Sequence, residues 1–296
     1  MIKRGKITTG IPENTTATFT TNGRTTNVSV FIPTLTGTGP NSMRFSMPFQ
    51  LKSVLGGSVI FWSTLLLAGK QITKSDGSCV SIPQITVRTT QDFELTGDGS
   101  AEAWNPAEWI ELKKRANAGH TYTTRFKTLY SETGIYFVFD GTDSQLTATL
   151  TNDFDNLWTE DVFEVFLWTD ESYPVYFEYE ISPFNKELPI LIPNFGGKFM
   201  GWRPWRYEGS RRTRTKVCIR GGPAKSGARI KGWTAEVFIP YALLDPLNNV
   251  PPKSGTKWRA NVYRIDYDEA AVTQWDWARV GPSFHEFEEF GTLVFE

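Results

Sequence analysis

Residues 155–170 read DNLWTEDVFEVFLWTD, and the fold turns on how this stretch is read. Side chains of a β-strand alternate between its two faces. From Asp161 onward one face takes Asp161, Phe163, Val165 and Leu167, while the other takes Val162, Glu164, Phe166 and Trp168. Both faces are largely apolar, the pattern of a strand covered on both sides. Glu164 nonetheless sits between Val162 and Phe166, with Trp158 just upstream. A carboxylate in such a place needs a reason, because burying a charge without partners is costly.

Outward from this stretch, the chain from about Ile82 repeats the same kind of segment. IPQITVRTT, HTYTTRFKTLY, GIYFVFDG, VYFEYEIS, RTKVCIRGG, WTAEVFIPY, WRANVYRIDYD and FGTLVFE are short and rich in β-branched and aromatic residues, with Gly, Pro, Asn or Asp turns between them. Helical periodicity is confined to PAEWIELKKR (106–115) and PYALLDPL (240–247), each opening on a proline at a helix-start position. Nine strands with one or two short helices predict an all-β fold, an antiparallel sandwich or barrel.

The charge is unevenly placed. Residues 1–90 hold nine Lys and Arg against Glu13 and Asp76, whereas the remainder holds 22 basic and 30 acidic residues. Residues 1–42 are Thr-rich and poor in large apolar side chains, enough for a weak edge strand but not for a core. Residues 43–70 place Arg44 and Lys52 before an apolar run, Val54 to Gly69, that ends on small residues. This is the layout of a secretory signal, or of a single-pass anchor through 54–69, although it starts more than 40 residues into the chain. The expected divisions are therefore 1–42, 43–70 and a β-domain over 82–296, and the expected location is secreted, periplasmic or on the cell surface.

Several chemistries lack their parts. A net charge of −1 argues against a nucleic-acid partner. Cys79 and Cys218 make neither a disulfide framework nor a zinc site, and His120 and His285 cannot build a histidine-rich metal centre. The chain has no G-x-S-x-G elbow, phosphate-binding loop or H-E-x-x-H helix. No cofactor is demanded, and structural calcium has candidates only in Asp140 with Asp143 and Asp153 with Asp155, since hard cations want several oxygens.

Aromatic residues are in surplus: Trp 11, Tyr 10 and Phe 21. Sugar rings stack their C–H faces on indoles and need fixed polar groups around their edge. Trp158, Glu164, Glu178, Trp275 and Trp277 are of the right types. Trp104, Trp109, Trp233 and Trp258 sit in apolar patterns and read as core. Glu178 and Glu180 share a strand face, so Glu164 lies across from one of them if the two strands are neighbours. Such a pair is also what a glycoside hydrolase or lyase uses.

The order of these segments resembles the family 9 carbohydrate-binding modules over about residues 93–296. LTGDGSAEAWNPAEW is similar to the family's opening turn before a Trp, and FKTLYSETGIYFVFDGTD to its first hairpin. LWTEDVFEVFLWTD resembles its W-x-x-D-x-x-E-x-F motif, here Trp158, Asp161, Glu164 and Phe166. GWTAEVFIPYALL and FGTLVFE resemble its late and closing strands. The resemblance implies a jelly-roll sandwich that binds saccharides without cleaving them, often with structural calcium and often attached to a glycoside hydrolase. It implies that Trp158 and Glu164 contact sugar, that Phe284, followed by His285, replaces a second Trp, and that Glu178 stands where the family has an edge arginine. Trp275, Trp277 and Arg264 are then the residues placed to compensate. Asn194 to Ser226 reads as an insertion carrying Trp202, Trp205, Arg203, Arg206, Arg211, Arg212 and Arg214, either an acidic-sugar site or a solvated loop folded over a sheet edge. Two other readings stand beside binding: a hydrolase or lyase using Glu164 with Glu178 or Glu180, and a structural or partner-binding sandwich without ligand.

Overall fold

Alternation of branched and aromatic residues produces a strand at each of the nine segments above. The computed structural model describes residues 14–21, 24–31, 71–73, 79–116, 119–268 and 272–296. The main strands are β1 (Gln84–Thr89), β2 (Thr124–Tyr130), β3 (Gly134–Thr142), β4 (Val162–Trp168), β5 (Val175–Ile181), β6 (Glu187–Phe195), β7 (Arg214–Arg220), β8 (Gly232–Pro240), β9 (Lys257–Asp266), β10 (Thr273–Asp276) and β11 (Gly291–Phe295). A single helical turn, α1 (Tyr241–Leu244), follows β8 where the sequence predicts it.

One layer runs β6-β5-β4-β9-β11 and the other β2-β3-β8-β7, with β1 between them. Residues Gln84–Val87 of β1 pair parallel with Thr292–Phe295, and Arg88–Thr89 pair parallel with Leu129–Tyr130. The other pairings along this order are antiparallel. The sheet thus folds over on itself as a β-sandwich. Between the layers, Phe163 of β4 lies 5.3 Å from Phe139 and 4.3 Å from Trp233, ring to ring. Phe163, Val165, Leu167, Phe137, Trp233 and Val237 are all buried here. Each contributes roughly 1.5–3 kcal/mol by leaving water.

Both outward faces are covered as well, as the double-sided pattern of β4 requires. On the second layer Leu95, Trp104, Tyr136 and Phe238 form a cluster. At its centre the Glu236 carboxylate accepts the backbone N–H of Thr96 (2.5 Å) and Gly97 (2.6 Å) and the Trp104 indole N–H (2.7 Å). Gly97 reaches this position with φ +91°, a conformation that L side chains avoid. On the first layer Leu157, Phe166, Tyr176, Ile190, Tyr263, Phe287 and Phe290 form the covering cluster.

One sequence expectation is corrected, and one strand has no counterpart in the sequence reading. PAEWIELKKR is not a helix: Ile110–Glu111 pairs with β2 and Lys113–Lys114 pairs with β10. The Trp109 ring takes Arg125 and Lys127 over its face, and Leu112 is buried in the main core, so sheet edges claim the segment over its helical spacing. The strand without a counterpart is β6, which carries Pro189 and Pro193. Their carbonyls accept from Trp205 and Met200 on the side away from β5, so the missing N–H groups also point away from β5.

The first 63 residues are a unit separate from Thr64–Glu296. Within it Asn14–Thr21 and Arg24–Phe31 pair as an antiparallel hairpin. The signal-like or anchor-like segment at 43–70 lies outside the described residues. Among the described residues no helix is long and apolar enough to cross a membrane.

Candidate functional site

Glu164 lies on the outward face of β4, and pairing with β5 places Glu180 directly opposite it. Glu178 is opposite Phe166, one step along the same face. Residues opposite in an antiparallel pair are side-chain neighbours, so β4 and β5 bring three carboxyl groups together. On the flanking strands Glu164 faces Tyr263, Glu178 faces Ile190 and Glu180 faces Leu188. Glu164, Glu178 and Glu180 are 2 %, 5 % and 0 % exposed. Asp161 points the other way and accepts the backbone N–H of Thr147 and Tyr267, so it takes no part here.

Among the described residues, no Lys or Arg ion pair reaches these three glutamates. As carboxylates, Glu178 Oε2 and both carboxyl oxygens of Glu180 receive no hydrogen bond of full geometry, the Trp158 backbone N–H being the nearest donor to Glu180. Burial therefore raises all three, Glu178 to about 8 and the other two well above the usual carboxylate range. Their mutual repulsion adds to this for Glu164 and Glu180, and a weak contribution from the Trp158 backbone opposes it at Glu180. Glu178 and Glu180 are close enough for a proton on one to be hydrogen-bonded by the other.

Rings surround the group. Trp158, on the turn Leu157–Thr159, is half-buried and meets Trp202 edge-on at 5.5 Å. Its carbonyl accepts the Tyr267 hydroxyl at 2.7 Å. Phe284 stacks on Tyr263 at 4.1 Å, with the Arg115 guanidinium 5.0 Å over its ring. His285 stacks on Phe166 and Phe199, shares a hydrogen bond of 2.6 Å with the Tyr176 hydroxyl, and has Nδ1 4.0 Å from Glu178 Oε2. Burial lowers the imidazole to about 4, so at neutral pH it brings no positive charge to Glu178.

The structure thus gathers Trp158, Glu164, Glu178, Phe284 and His285. It leaves Trp275 elsewhere. Trp275 pairs with Arg264 on the inward face of the sheet, is 1 % exposed and belongs to the main core, as does Trp277. Arg264 is equally inward, held by Asp143 at 3.0 Å and Asp266 at 2.7 Å. What the sequence reading missed is the strap after β6. Lys198–Phe199 folds back on β6, and Arg203–Pro204 pairs with it again. Between these points Phe199 reaches His285 and Trp202 reaches Trp158, so the strap crosses from one rim of the glutamate row to the other. Phe199, Met200 and Trp202 remain exposed on it, as does Phe195 at the end of β6. The insertion's other ring, Trp205, donates to the Leu243 carbonyl, and Arg206, Arg211 and Arg214 lie over Phe154, Trp205 and Phe238. These arginines are engaged in packing rather than turned to one site.

For calcium, the carboxylates Asp143, Asp266 and Asp268 lie within reach of one ion. Arg264 already pairs with Asp143 and Asp266, so a cation there would compete with a guanidinium in place. Asp140 is taken by Arg125 and Arg220. A shallow depression of about 520 Å³ lined by Thr151, Phe184, Asn185, Val217 and Ile219 includes none of the rings or carboxyls described above.

Residues 96–187, which carry Trp158 and all three glutamates, match the family described as Carbohydrate family 9 binding domain-like. The resemblance to family 9 is thereby shown. Solved structures agree on the fold of this family 9-like domain. A Bacteroides uniformis protein proposed to bind carbohydrate aligns with TM-score 0.58 and 15 % identity, over 73 % of this chain and 100 % of its own. A family 9 module of Caldicellulosiruptor kristjanssonii in complex with cellotriose aligns with TM-score 0.51 and 16 % identity, over 72 % of this chain and 93 % of its own. The glucose complex of such a module from the same organism aligns with TM-score 0.51 and 15 % identity, over 72 % and 95 %. A search of curated proteins gave no match.

Proposed function

We propose that the family 9-like domain binds a saccharide without cleaving it, on the outward face of β4 and β5, as an exported recognition module for polysaccharide. The observation that carries this reading is the setting of flat rings, Trp158 with Trp202 and Phe284 with His285 and Phe199, around a row of buried carboxyls. Rings supply stacking area and carboxyls supply orientation, the division of labour of a sugar site. Cellotriose and glucose in the related modules make gluco-oligosaccharides the first ligands to try. Export is read from the layout of residues 43–70, and a glycoside hydrolase is the partner such a module serves.

Cleavage fits less well. Glycosidases separate their two carboxyl groups by about 5–9.5 Å across a cleft that holds the scissile bond. Here Glu178 and Glu180 are within hydrogen-bonding reach of each other, and Glu164 is their buried neighbour. A sandwich without ligand would bury Trp158, which instead is half-buried beside a Trp202 that is 40 % exposed. The test is intrinsic Trp fluorescence of the chain, titrated with glucose and cellotriose, with product analysis on the same samples. A saturable change lost in Trp158→Ala, with no new reducing ends, supports binding. Reducing ends that disappear in Glu164→Gln make the protein a hydrolase, and silence with every sugar favours the structural reading.

A further inference from the structure

The three glutamates pose a problem that a neutral sugar does not solve. Glu178 Oε2, Glu180 Oε1 and Glu180 Oε2 are buried without a hydrogen bond of full geometry. The only histidine beside them is held neutral, and no guanidinium or ammonium pairs with any of the three among the described residues. Hexose hydroxyls can satisfy some of these lone pairs but bring no charge. Left alone the three keep their protons, because an uncompensated carboxylate in this apolar setting costs several kcal/mol, and only a bound cation would let one of them ionise. A protonated primary amine meets both needs, for it carries one positive charge and three N–H donors with no acceptor. Aromatic faces complete the fit, since a cation is attracted to the faces of Trp and Phe rings. Trp158 and Trp202 lie at one rim, and Phe199 over His285 lies at the other.

We propose that the site selects saccharides bearing a free amine, with the ammonium of a 2-amino-2-deoxyhexose unit lodged between Glu178 and Glu180 and the sugar ring held by the flanking aromatics. This rests on the saccharide-binding reading above. Glu178 is the entry side, being the least buried of the three and next to His285, whose side chain is 25 % exposed. Crossing above is the strap of residues 196–202, in which Gly196, Gly197 and Gly201 all take positive φ. In this arrangement the glutamate row sets chemical preference and the rings set ring orientation.

The experiment titrates the full chain, by Trp fluorescence and calorimetry, with three oligomers of equal length: 2-amino-2-deoxyglucose, its N-acetylated form and cello-oligosaccharide. It is run at about pH 6, below the range of such amines. Free 2-amino-2-deoxyglucose and n-butylamine serve as probes of the amine alone. The expected result is binding of the amino oligomer at least tenfold tighter than of the other two, with that preference lost in Glu178→Gln and in Glu180→Gln. Wild-type preference needs no variant to fold, and the isosteric amides are checked by circular dichroism. Equal binding of all three oligomers, or preference for the neutral ones, overturns the amino-sugar inference and leaves saccharide binding intact. Binding of no oligomer overturns both. If calcium chloride raises the melting temperature of wild type but not of Glu180→Gln, and abolishes amino-oligomer binding, the carboxyls serve a metal and the inference falls.

Discussion

Each layer of the sandwich buries glutamate on its outward face, and the two layers treat that charge in opposite ways. Glu236 sits under a loop that presents two backbone N–H groups and an indole N–H to its carboxylate. Glu164, Glu178 and Glu180 sit under rings and aliphatic side chains, and three of their oxygens receive no hydrogen bond of full geometry. Depth does not separate them, since Glu236 and Glu180 are both fully buried. The partner separates them. A carboxylate surrounded by donors fastens the 95–104 segment to its sheet, whereas one left without them keeps its proton.

The comparison breaks first at Glu236. Glu236→Ala leaves three N–H donors unsatisfied, and a loss of about 3 kcal/mol or more is expected in chemical denaturation. An unchanged midpoint would mean that this carboxylate fastens nothing. The opposite sign is expected at Glu180. Glu180→Leu removes an unpartnered carboxyl from apolar surroundings and should raise stability at pH 8 by about 1–2 kcal/mol, readable as a higher melting temperature. A loss there would show that Glu180 has a donor in solution.

Titration sharpens the same contrast. Burial holds Glu178 at about 8 and its two neighbours well above the ordinary range. For an acid whose value is raised on folding, the folded state holds its proton longer, so stability is complete below about pH 4 and is lost as pH rises toward 8. His285, lowered to about 4, acts in the opposite direction, and only below about pH 6.5. Between about pH 6.5 and 8 the wild-type melting temperature should therefore fall. Buried Asp143 and Asp161, raised to about 7 and about 8, contribute to that slope with the same sign. Simultaneous replacement of Glu164, Glu178 and Glu180 by glutamine should flatten it by the share of these three, and an unaltered slope would place the titrating groups elsewhere. The smallest effect on folding belongs to the strap. Trp202→Ala should change stability by less than about 0.5 kcal/mol, because the ring is 40 % exposed, yet weaken saccharide binding.

Where local pattern decides structure, the sequence was a sufficient guide. The nine strand segments and the one-turn helix after Pro240 follow from alternation, turn residues and a proline start. Glu164 and Glu180 could be expected to meet as soon as their strands were taken as neighbours. Long-range contacts decided the rest. Trp275 stands among polar residues in sequence, but its strand pairs with β9 at Arg264, and that register turns the indole inward. Phe199 and Trp202 are unremarkable within a Gly- and Arg-rich insertion and gain their place only because the strap pairs back on β6 twice. Ile110 and Leu112 have helical company in sequence and strand company in space.

Strand β1 joins the layers through parallel pairing on both sides, first with the C-terminal strand β11 and then with β2. Thr292 donates to the Pro83 carbonyl and Glu296 to that of Val87, so β1 and β11 are bonded along their whole shared length. Tension applied between the chain before Gln84 and the chain at Phe295 would pull two parallel neighbours in opposite directions along their axes. Every rung between them would be loaded at once instead of opening one by one from an end.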